Sequence, residues 1–509
     1  MKKVSIYLII VFSILSVHAQ NPNINWQKSY SGTGDNVLDK IIETRDLGYI
    51  IVGLSVNIGL QGWHARITRI DSSLEIAWEK DLPEGTQLYD VQQTSDNGYL
   101  VGGVEKTGEY FTESYHILKM DENGNEQWRK TFAGDRFDFL ISLEETADGG
   151  YILGGHSNSL ISGDKTEVNY GRFDYWIIKL DSVGNIEWQK TLGGDEDDLL
   201  KAISQTSDGG YIVAGTSESG ISGVKTEASR GDKDYWIVKI DATGDILWQK
   251  TIGGDDTDEI ADMKVTRWGG YILTGTSKSN ISGEKTQNSE GLNDYWVVKL
   301  NAAGAIVWQK TLGGSDEDIA TSIIQTVDNG YLVGGYSKSD ISGDKSQDSR
   351  GGRDYWVIKL DVSGNILWQS TLGGDESDYL THVEQNIDGS VLFGGHSYSD
   401  ISGDKTVPGH IGISSYWVIN YANILGIENF NTQGKLFLYP NPVQSVLNIE
   451  TIGNSIENIK IYDINGRVIR ELKNLEKPFT MDLSRLESGI YLVEISDGGQ
   501  TLIRKIIKE

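Results

Sequence analysis

The residues best suited to chemistry in this chain are aspartates that recur in a fixed context. The motif G-G-D-x-x-D places Asp195 ahead of Asp198, Asp255 ahead of Asp258 and Asp375 ahead of Asp378. Asp135 with Asp138 is a related pair, and Ser315 with Asp318 a variant. Hard carboxylate oxygens gathered in one loop suit Ca2+, so calcium is a candidate cofactor at these positions. A structural expectation competes with it. Asp39, Asp90, Asp138, Asp198, Asp258, Asp318 and Asp378 are each expected to begin the first strand of a repeated unit, where an Asp side chain accepts backbone N–H bonds at a turn. No D-x-[DN]-x-[DN]-G loop accompanies them.

A second loop reads I-S-G-x-K-[ST] and carries Lys165, Lys225, Lys285, Lys345 and Lys405. These lysines either stitch the loop to a neighbouring acidic turn or form a ring that meets an anionic or sugar ligand. In a repetitive array a ligand site is sought where the repetition breaks. Arg136 and Phe137 replace acidic or small residues, and His156 and His396 stand where other units have Thr216, Thr276 and Tyr336. Arg136, Phe137, His156, Tyr336 and His396 are therefore the candidate ligand-binding residues. Trp268 also breaks the pattern, at a turn expected on the opposite face. Motifs for catalysis are lacking: there is no H-E-x-x-H, no G-x-S-x-G and no G-x-x-x-x-G-K-[ST]. Cys is absent, which excludes thiolate metal sites and a thiol nucleophile. Carboxylates abound, but none is singled out as half of a glycosidase-type pair.

The elements that carry these loops follow from internal repetition. Tryptophans in a W-Q-K-like context fall at Trp26, Trp78, Trp128, Trp188, Trp248, Trp308 and Trp368. A D-Y-W-like series runs Trp63, His116, Trp176, Trp236, Trp296, Trp356 and Trp417, and a D-G-G-Y-like series runs Tyr49, Tyr99, Tyr151, Tyr211, Tyr271, Tyr331 and Val391. The best-marked unit predicts four strands: Asp198–Thr206, Tyr211–Thr216, Asp234–Ile240 and Asp245–Thr251. Short antiparallel strands with a repeat of this length predict a β-propeller of seven blades. Asn23–Tyr30 is a lone W-Q-K strand and Tyr416–Tyr421 a third strand lacking one, so the N-terminal strand is expected to complete the last blade and remove the open edges. The turn at Asp181–Trp188 resembles both the Trp-containing repeat of quinoprotein propellers and the Asp-box hairpin of sialidases, with a different spacing from either. Loops joining fourth to first strands and second to third strands leave a propeller on one face, so both decorated loops meet there.

The net charge is −28, and residues 437–509 carry only −1 of it. Such an acidic body repels nucleic acid and anionic membranes. Lys2-Lys3, the apolar run Val4–Leu15 and Val17-His18-Ala19 read as a signal peptide over residues 1–19. That run is too short to span a bilayer, and no later segment is a transmembrane candidate. Residues 20–421 are then the propeller, 422–436 a linker and 437–509 a small C-terminal β-sandwich. This last segment holds Tyr439-Pro440-Asn441-Pro442, then Tyr462-Asp463 with Gly466-Arg467, then Ser488-Gly489-Ile490-Tyr491. In that order these residues closely resemble the type A C-terminal sorting domain of the type IX secretion system of Bacteroidetes. The resemblance implies export in two steps, the secretion machinery as a partner, and a secreted or cell-surface destination.

The fold expected is thus all-β, a seven-bladed propeller closed by the N-terminal strand and followed by a β-sandwich. The function expected is non-enzymatic binding of an extracellular glycan or protein. The rival classes are a polysaccharide-active hydrolase or lyase, a quinoprotein-like oxidoreductase, and a purely structural surface component.

Overall fold

A computed structural model describes residues 23–31, 34–56, 62–107, 112–409 and 412–422, and most of 436–508. The predicted signal peptide lies outside the described residues. The chain divides into two compact units, Met1–Leu425 and Gly426–Glu509, with the boundary inside the predicted linker. Among the described residues every regular element is a strand.

Among the described residues, the first unit contains seven four-stranded antiparallel sheets, the pattern of a propeller. The fourth is representative, with strands Asp198–Gln205, Tyr211–Ser217, Asp234–Ile240 and Ile246–Ile252, within one or two residues of the sequence expectation. Its second and third strands are buried along their whole length. That matches their continuous apolar runs, since a sheet covered on both faces has no polar side. Positive-φ glycines punctuate the turns: Gly209 ends the first hairpin at φ 82° and Gly244 the last at φ 86°, a region costly for residues with a Cβ. The seventh sheet is assembled from both ends of the unit. Ile24–Tyr30 pairs antiparallel with Ser415–Tyr421, and its Trp26 packs on Tyr49 of the first sheet at 5.7 Å.

The three sequence markers are the sheet-to-sheet contacts themselves. The D-Y-W tyrosines Tyr115, Tyr175, Tyr235, Tyr295 and Tyr355 each donate their hydroxyl to the backbone carbonyl of the next sheet's Trp, at 2.7–3.2 Å. The rings also meet, as Tyr235 and Trp296 do at 5.0 Å. The W-Q-K tryptophans pack on the D-G-G-Y tyrosine of the following sheet, Trp188 on Tyr211 at 5.9 Å and Trp248 on Tyr271 at 5.9 Å.

Register corrects two expectations. Asp39 and Asp90 do not begin their strands, which run Asp35–Glu43 and Thr86–Gln93. Strand pairing makes Asn36 and Thr86 the counterparts of Asp138, and Asp39 falls in the bulge between Leu38 and Lys40. Trp63 likewise is not the counterpart of Trp176. Arg66, opposite Gly53, holds that place and pairs with Asp81 at 2.7 Å. Both errors came from matching letters in the shorter first two units, where Asn36, Thr86 and Arg66 replace the marker residues and another Asp or Trp stands a few positions away.

In the second unit, strands Leu436–Tyr439, Val446–Thr451 and Phe479–Asp482 form one sheet. Ser455–Tyr462, Val468–Glu476, Gly489–Ser496 and Thr501–Lys508 form another. One apolar core draws on both, including Leu447, Ile449, Ile461, Val493 and Ile506.

The pairing of Ile24–Tyr30 with the seventh sheet generates a prediction. A chain beginning after Tyr30 leaves Ser415–Tyr421 as an open edge. Its melting temperature is expected to fall by at least about 5 °C, with association visible in light scattering. An unchanged melting temperature and a monodisperse sample would show the pairing to be dispensable.

Candidate functional site

The decorated end of the sheets is built by a recurrent clamp. In the fourth sheet the loop Ser222–Lys225 folds back on itself, and the Val224 amide donates to the Gly193 carbonyl of the G-G-D turn at 3.0 Å. Gln249 of W-Q-K holds that loop from the other side. Its Oε1 accepts from the Thr226 amide at 3.0 Å and the Trp236 indole at 3.2 Å, and its Nε2 donates to the Val224 carbonyl at 2.8 Å. In the seventh sheet Gln27 of the N-terminal strand plays the same part for Thr406 and Trp417. The repeated lysines belong to this clamp. Lys225 is buried, donates to the Ser219 carbonyl and the Ser229 hydroxyl at 2.9 and 3.0 Å, and lies over the Trp236 ring. The geometry favours stitching over a ring of lysines offered to a ligand.

The paired aspartates of G-G-D-x-x-D turn to different partners. Asp195 is exposed and accepts from the Ser222 hydroxyl at 2.6 Å; Asp255 and Asp375 do the same with Ser282 and Ser402. Asp198 is buried and accepts from the Gly194 amide and the Ser219 hydroxyl at 2.7 and 2.9 Å. Asp258 and Asp378 repeat this with Gly254 and Gly374. Burial raises the Asp198 carboxyl against these donors. Asp174, across the junction from Asp198, is pushed up to about 7 by burial.

The symmetry-breaking residues gather in two aromatic clusters at this end. In the third sheet Phe137, 39% exposed, stacks on Phe139 at 6.3 Å and 12°. Phe139 stacks on His156 at 5.2 Å, and Phe173 closes the group at 5.5 Å from His156. Arg136 is exposed beside it, its amide on the Ser159 hydroxyl. The second cluster spans the sixth and seventh sheets. Tyr379 stacks on His396 at 5.1 Å and 16° and meets Tyr336 edge-on at 5.0 Å, while Tyr398 stands 6.4 Å away. Arg353 lies over the Tyr379 ring at 5.8 Å and donates to its hydroxyl at 3.3 Å. Glu317 fixes that guanidinium by accepting from its Nε at 3.0 Å.

Phe139 and Tyr379 occupy the same place in their sheets, opposite His156 and His396. Sequence reasoning missed both, along with Phe173 and Arg353. The signal was present: Leu199, Glu259 and Ile319 follow the corresponding Asp in other units, so aromatic residues there break the pattern too. Around the clusters one isoleucine per loop, at Ile161, Ile221, Ile281, Ile341 and Ile401, stands 60–72% exposed. Trp268 sits in a turn at the opposite end of its sheet.

The first strand of every sheet in the first unit is bulged, and the residues there differ from sheet to sheet. Lys40 pairs with Asp90, Asp262 with Lys264 at 2.8 Å and His382 with Glu384 at 3.5 Å. Asp90 and Asp262 also accept the amides of Leu143 and Ile323 in the following sheets, at 2.9 and 3.0 Å. Asp39 differs: its Oδ2 is buried without a hydrogen-bond partner, and burial pushes its carboxyl up to about 8. Among the described residues no group of three or more acidic, His or Cys side chains is placed to hold a metal.

In the second unit, Gly489 and Tyr491 lie on one strand, and Tyr491 packs against the core. Tyr439 ends a strand. Pro440, Asn441, Pro442, Asp463, Gly466 and Arg467 lie outside the described residues.

Comparison with known proteins identifies residues 437–509 as a secretion system C-terminal sorting domain, that of the type IX system. The protein is therefore secreted or displayed on the outer cell surface, and the tail implies contact with the secretion machinery. Among the described residues no helix is long and apolar enough to cross a membrane. The regulatory protein FlaEY of Caulobacter vibrioides is 23% identical over 244 residues, 44% of this chain, and the match spans 26% of that protein. The Pan2 WD40 domain of Neurospora crassa superposes with a TM-score of 0.42 at 10% identity, over 77% of this chain and 90% of that one. A Bacteroides caccae protein of unknown function gives 0.35 at 12% identity, over 67% and 94%. Likeness at this level carries no argument about ligands.

The two histidines generate a pH prediction. Burial lowers His156 to about 3, helped by neighbouring Lys201, and His396 to about 4 against the field of Asp35. A base whose folded value is depressed stabilises the fold above its unfolded value near 6.5 and loses that contribution as pH falls toward its folded value. Imidazole NMR signals of His156 and His396 are expected to stay in the neutral form down to pH 5, with the melting temperature falling between about pH 6.5 and 4. Titration of both near 6.5 would place them in open solvent.

Proposed function

We propose that this protein is a seven-bladed propeller, closed by its N-terminal strand, which binds an extracellular glycan through the two aromatic clusters on its loop-bearing face. The observation that carries this reading is the second cluster. Tyr379, His396, Tyr336 and Tyr398 present ring faces and hydroxyls together, with Arg353 held over one ring by Glu317. Aromatic faces meet the C–H faces of a sugar, while the phenol, imidazole and guanidinium groups meet its hydroxyls. Such mixed surfaces are typical of recognition sites. The phenylalanine-rich first cluster supports a second contact of the same kind. Two weak contacts on one polymer chain add through effective concentration. Closure of the ring is supported by the pairing of Ile24–Tyr30 with Ser415–Tyr421.

The test is a glycan array and thermal-shift screen of the mature protein beside Tyr379→Ala and Phe139→Ala. A ligand that raises the melting temperature of wild type should lose at least tenfold in affinity with Tyr379→Ala, about 1.4 kcal/mol. Equal binding by both variants would remove the clusters from the function. A polysaccharide-active enzyme is the second reading, and Asp39 favours it. A carboxyl pushed up to about 8 is protonated at neutral pH, as a general acid must be. Release of oligosaccharide in the same screen, abolished by Asp39→Asn, would decide for it.

Export is proposed to begin with removal of residues 1–19 and to end with removal of the sorting domain. Mass analysis of protein from the medium is expected to find Gln20 at the N-terminus and residues 437–509 missing. A chain retaining both would overturn this order of processing.

A further inference from the structure

We propose that four calcium ions seat between neighbouring sheets, each between two aspartates: Asp174 and Asp198, Asp234 and Asp258, Asp294 and Asp318, and Asp354 and Asp378. In every pair the first residue begins the third strand of one sheet and the second begins the first strand of the next. The backbone holds them together. The amide of Asp198 donates to the Phe173 carbonyl at 2.6 Å, and those of Asp258, Asp318 and Asp378 donate to Lys233, Asn293 and Arg353 at 2.7, 2.8 and 2.5 Å.

All eight side chains are completely buried. One oxygen of each is already used: Asp198 Oδ2 accepts from Gly194 and Ser219, and Asp174 Oδ2 accepts from the Tyr170 amide at 2.5 Å. The other, Oδ1, has no hydrogen-bond partner in any of the eight. The repeated lysines do not fill the gap, because Lys225 and Lys285 spend their ammonium groups on serine hydroxyls and carbonyls. The nearby lysine ammoniums, Lys165 by Asp174 and Lys225 by Asp198, offset part of the charge without bonding either Oδ1. Two carboxylates buried at one junction still cost free energy, so such a pair takes up a cation or a proton.

The chain contains its own control. Asp138 is equivalent to Asp198, but the preceding sheet offers Ser114 where the other junctions offer Asp. There Oδ1 is satisfied, accepting from the Ser157 hydroxyl at 2.5 Å. At the four aspartate pairs the equivalent serine stands beside the second aspartate, as Ser217 does beside Asp198, without reaching Oδ1 in hydrogen-bond geometry. Glycine lets these carboxylates press against the backbone: a Cβ on Gly193 would stand 1.9 Å from Asp174 Oδ1, and one on Gly253 1.8 Å from Asp234 Oδ1. Two carboxylates neutralise one divalent ion, and the Ser217 hydroxyl beside Asp198 adds a neutral oxygen. Carboxylate and hydroxyl oxygens suit Ca2+, which accepts irregular sites, whereas Mg2+ retains water and demands strict octahedral geometry. Asp198, Asp258 and Asp378 are shared with the G-G-D-x-x-D set, but the motif's first aspartate is not a ligand, since Asp195 is engaged with Ser222.

Atomic emission on the mature chain, stripped with chelator and dialysed against Ca2+, should find one ion per aspartate pair and a raised melting temperature. Asp234→Asn should remove one ion and Asp234→Asn with Asp354→Asn two, while Asp138→Asn removes none. Circular dichroism confirms that each variant folds. No calcium on the wild-type chain at millimolar Ca2+ would mean that the pairs share protons, and full stoichiometry in Asp234→Asn would place the ions elsewhere. Either result overturns the proposal.

Discussion

Each sheet of the first unit has two apolar faces, and only its neighbours can cover them. A fully buried side chain such as Trp236, Val238 or Leu273 is worth about 1.5–3 kcal/mol relative to an exposed one, and no single sheet can bury both faces alone. Everything else in the unit answers this constraint. The tyrosine hydroxyl on the next sheet's backbone satisfies a carbonyl that stacking would otherwise leave buried. It also fixes the angle at which the next sheet arrives. The outer tryptophan, resting on the following tyrosine, does the same nearer the rim.

The loop-bearing end inherits its rigidity from this stacking. Gln249 reads the indole of Trp236, the body of the long loop and the acidic turn as one unit, so loops of nearly equal sequence are held in nearly equal places. Against that uniform background, aromatic substitutions at equivalent register positions produce two local surfaces of distinct chemistry. The clusters are accordingly presented on rigid strands, with Phe139 and Tyr379 placed by backbone pairing and not by loop conformation.

Acidic residues serve three different ends in one repeat. An exposed Asp braces a loop through a serine, as Asp195 does. A turn Asp such as Asp208 is held below the ordinary carboxylate range, at about 2, by Thr206 and the ammonium of Lys239. A buried Asp such as Asp198 caps a glycine amide and acts electrostatically on a second buried carboxyl, that of Asp174. Composition reports only their total, 73 Asp and Glu against 45 Lys and Arg.

Repetition was legible in the sequence because stacking of like sheets demands like residues at like places. Marker spacing therefore yielded the strands, the turns and the missing edge strand. The sorting tail was legible for a different reason: its motifs are contiguous. Position within the first two units was not, since Asn36, Thr86 and Arg66 replace the marker letters there and only strand register shows that Asp39, Asp90 and Trp63 are not their equivalents. Neither was the pairing of Asp174 with Asp198, which are far apart in the chain and adjacent only where two sheets meet. Phe137, His156, Tyr336 and His396 could be named from the sequence as exceptions to a pattern. That Phe139 and Tyr379 join them into two surfaces was decided by strand register, because side chains on paired strands meet across the ladder and not along the chain.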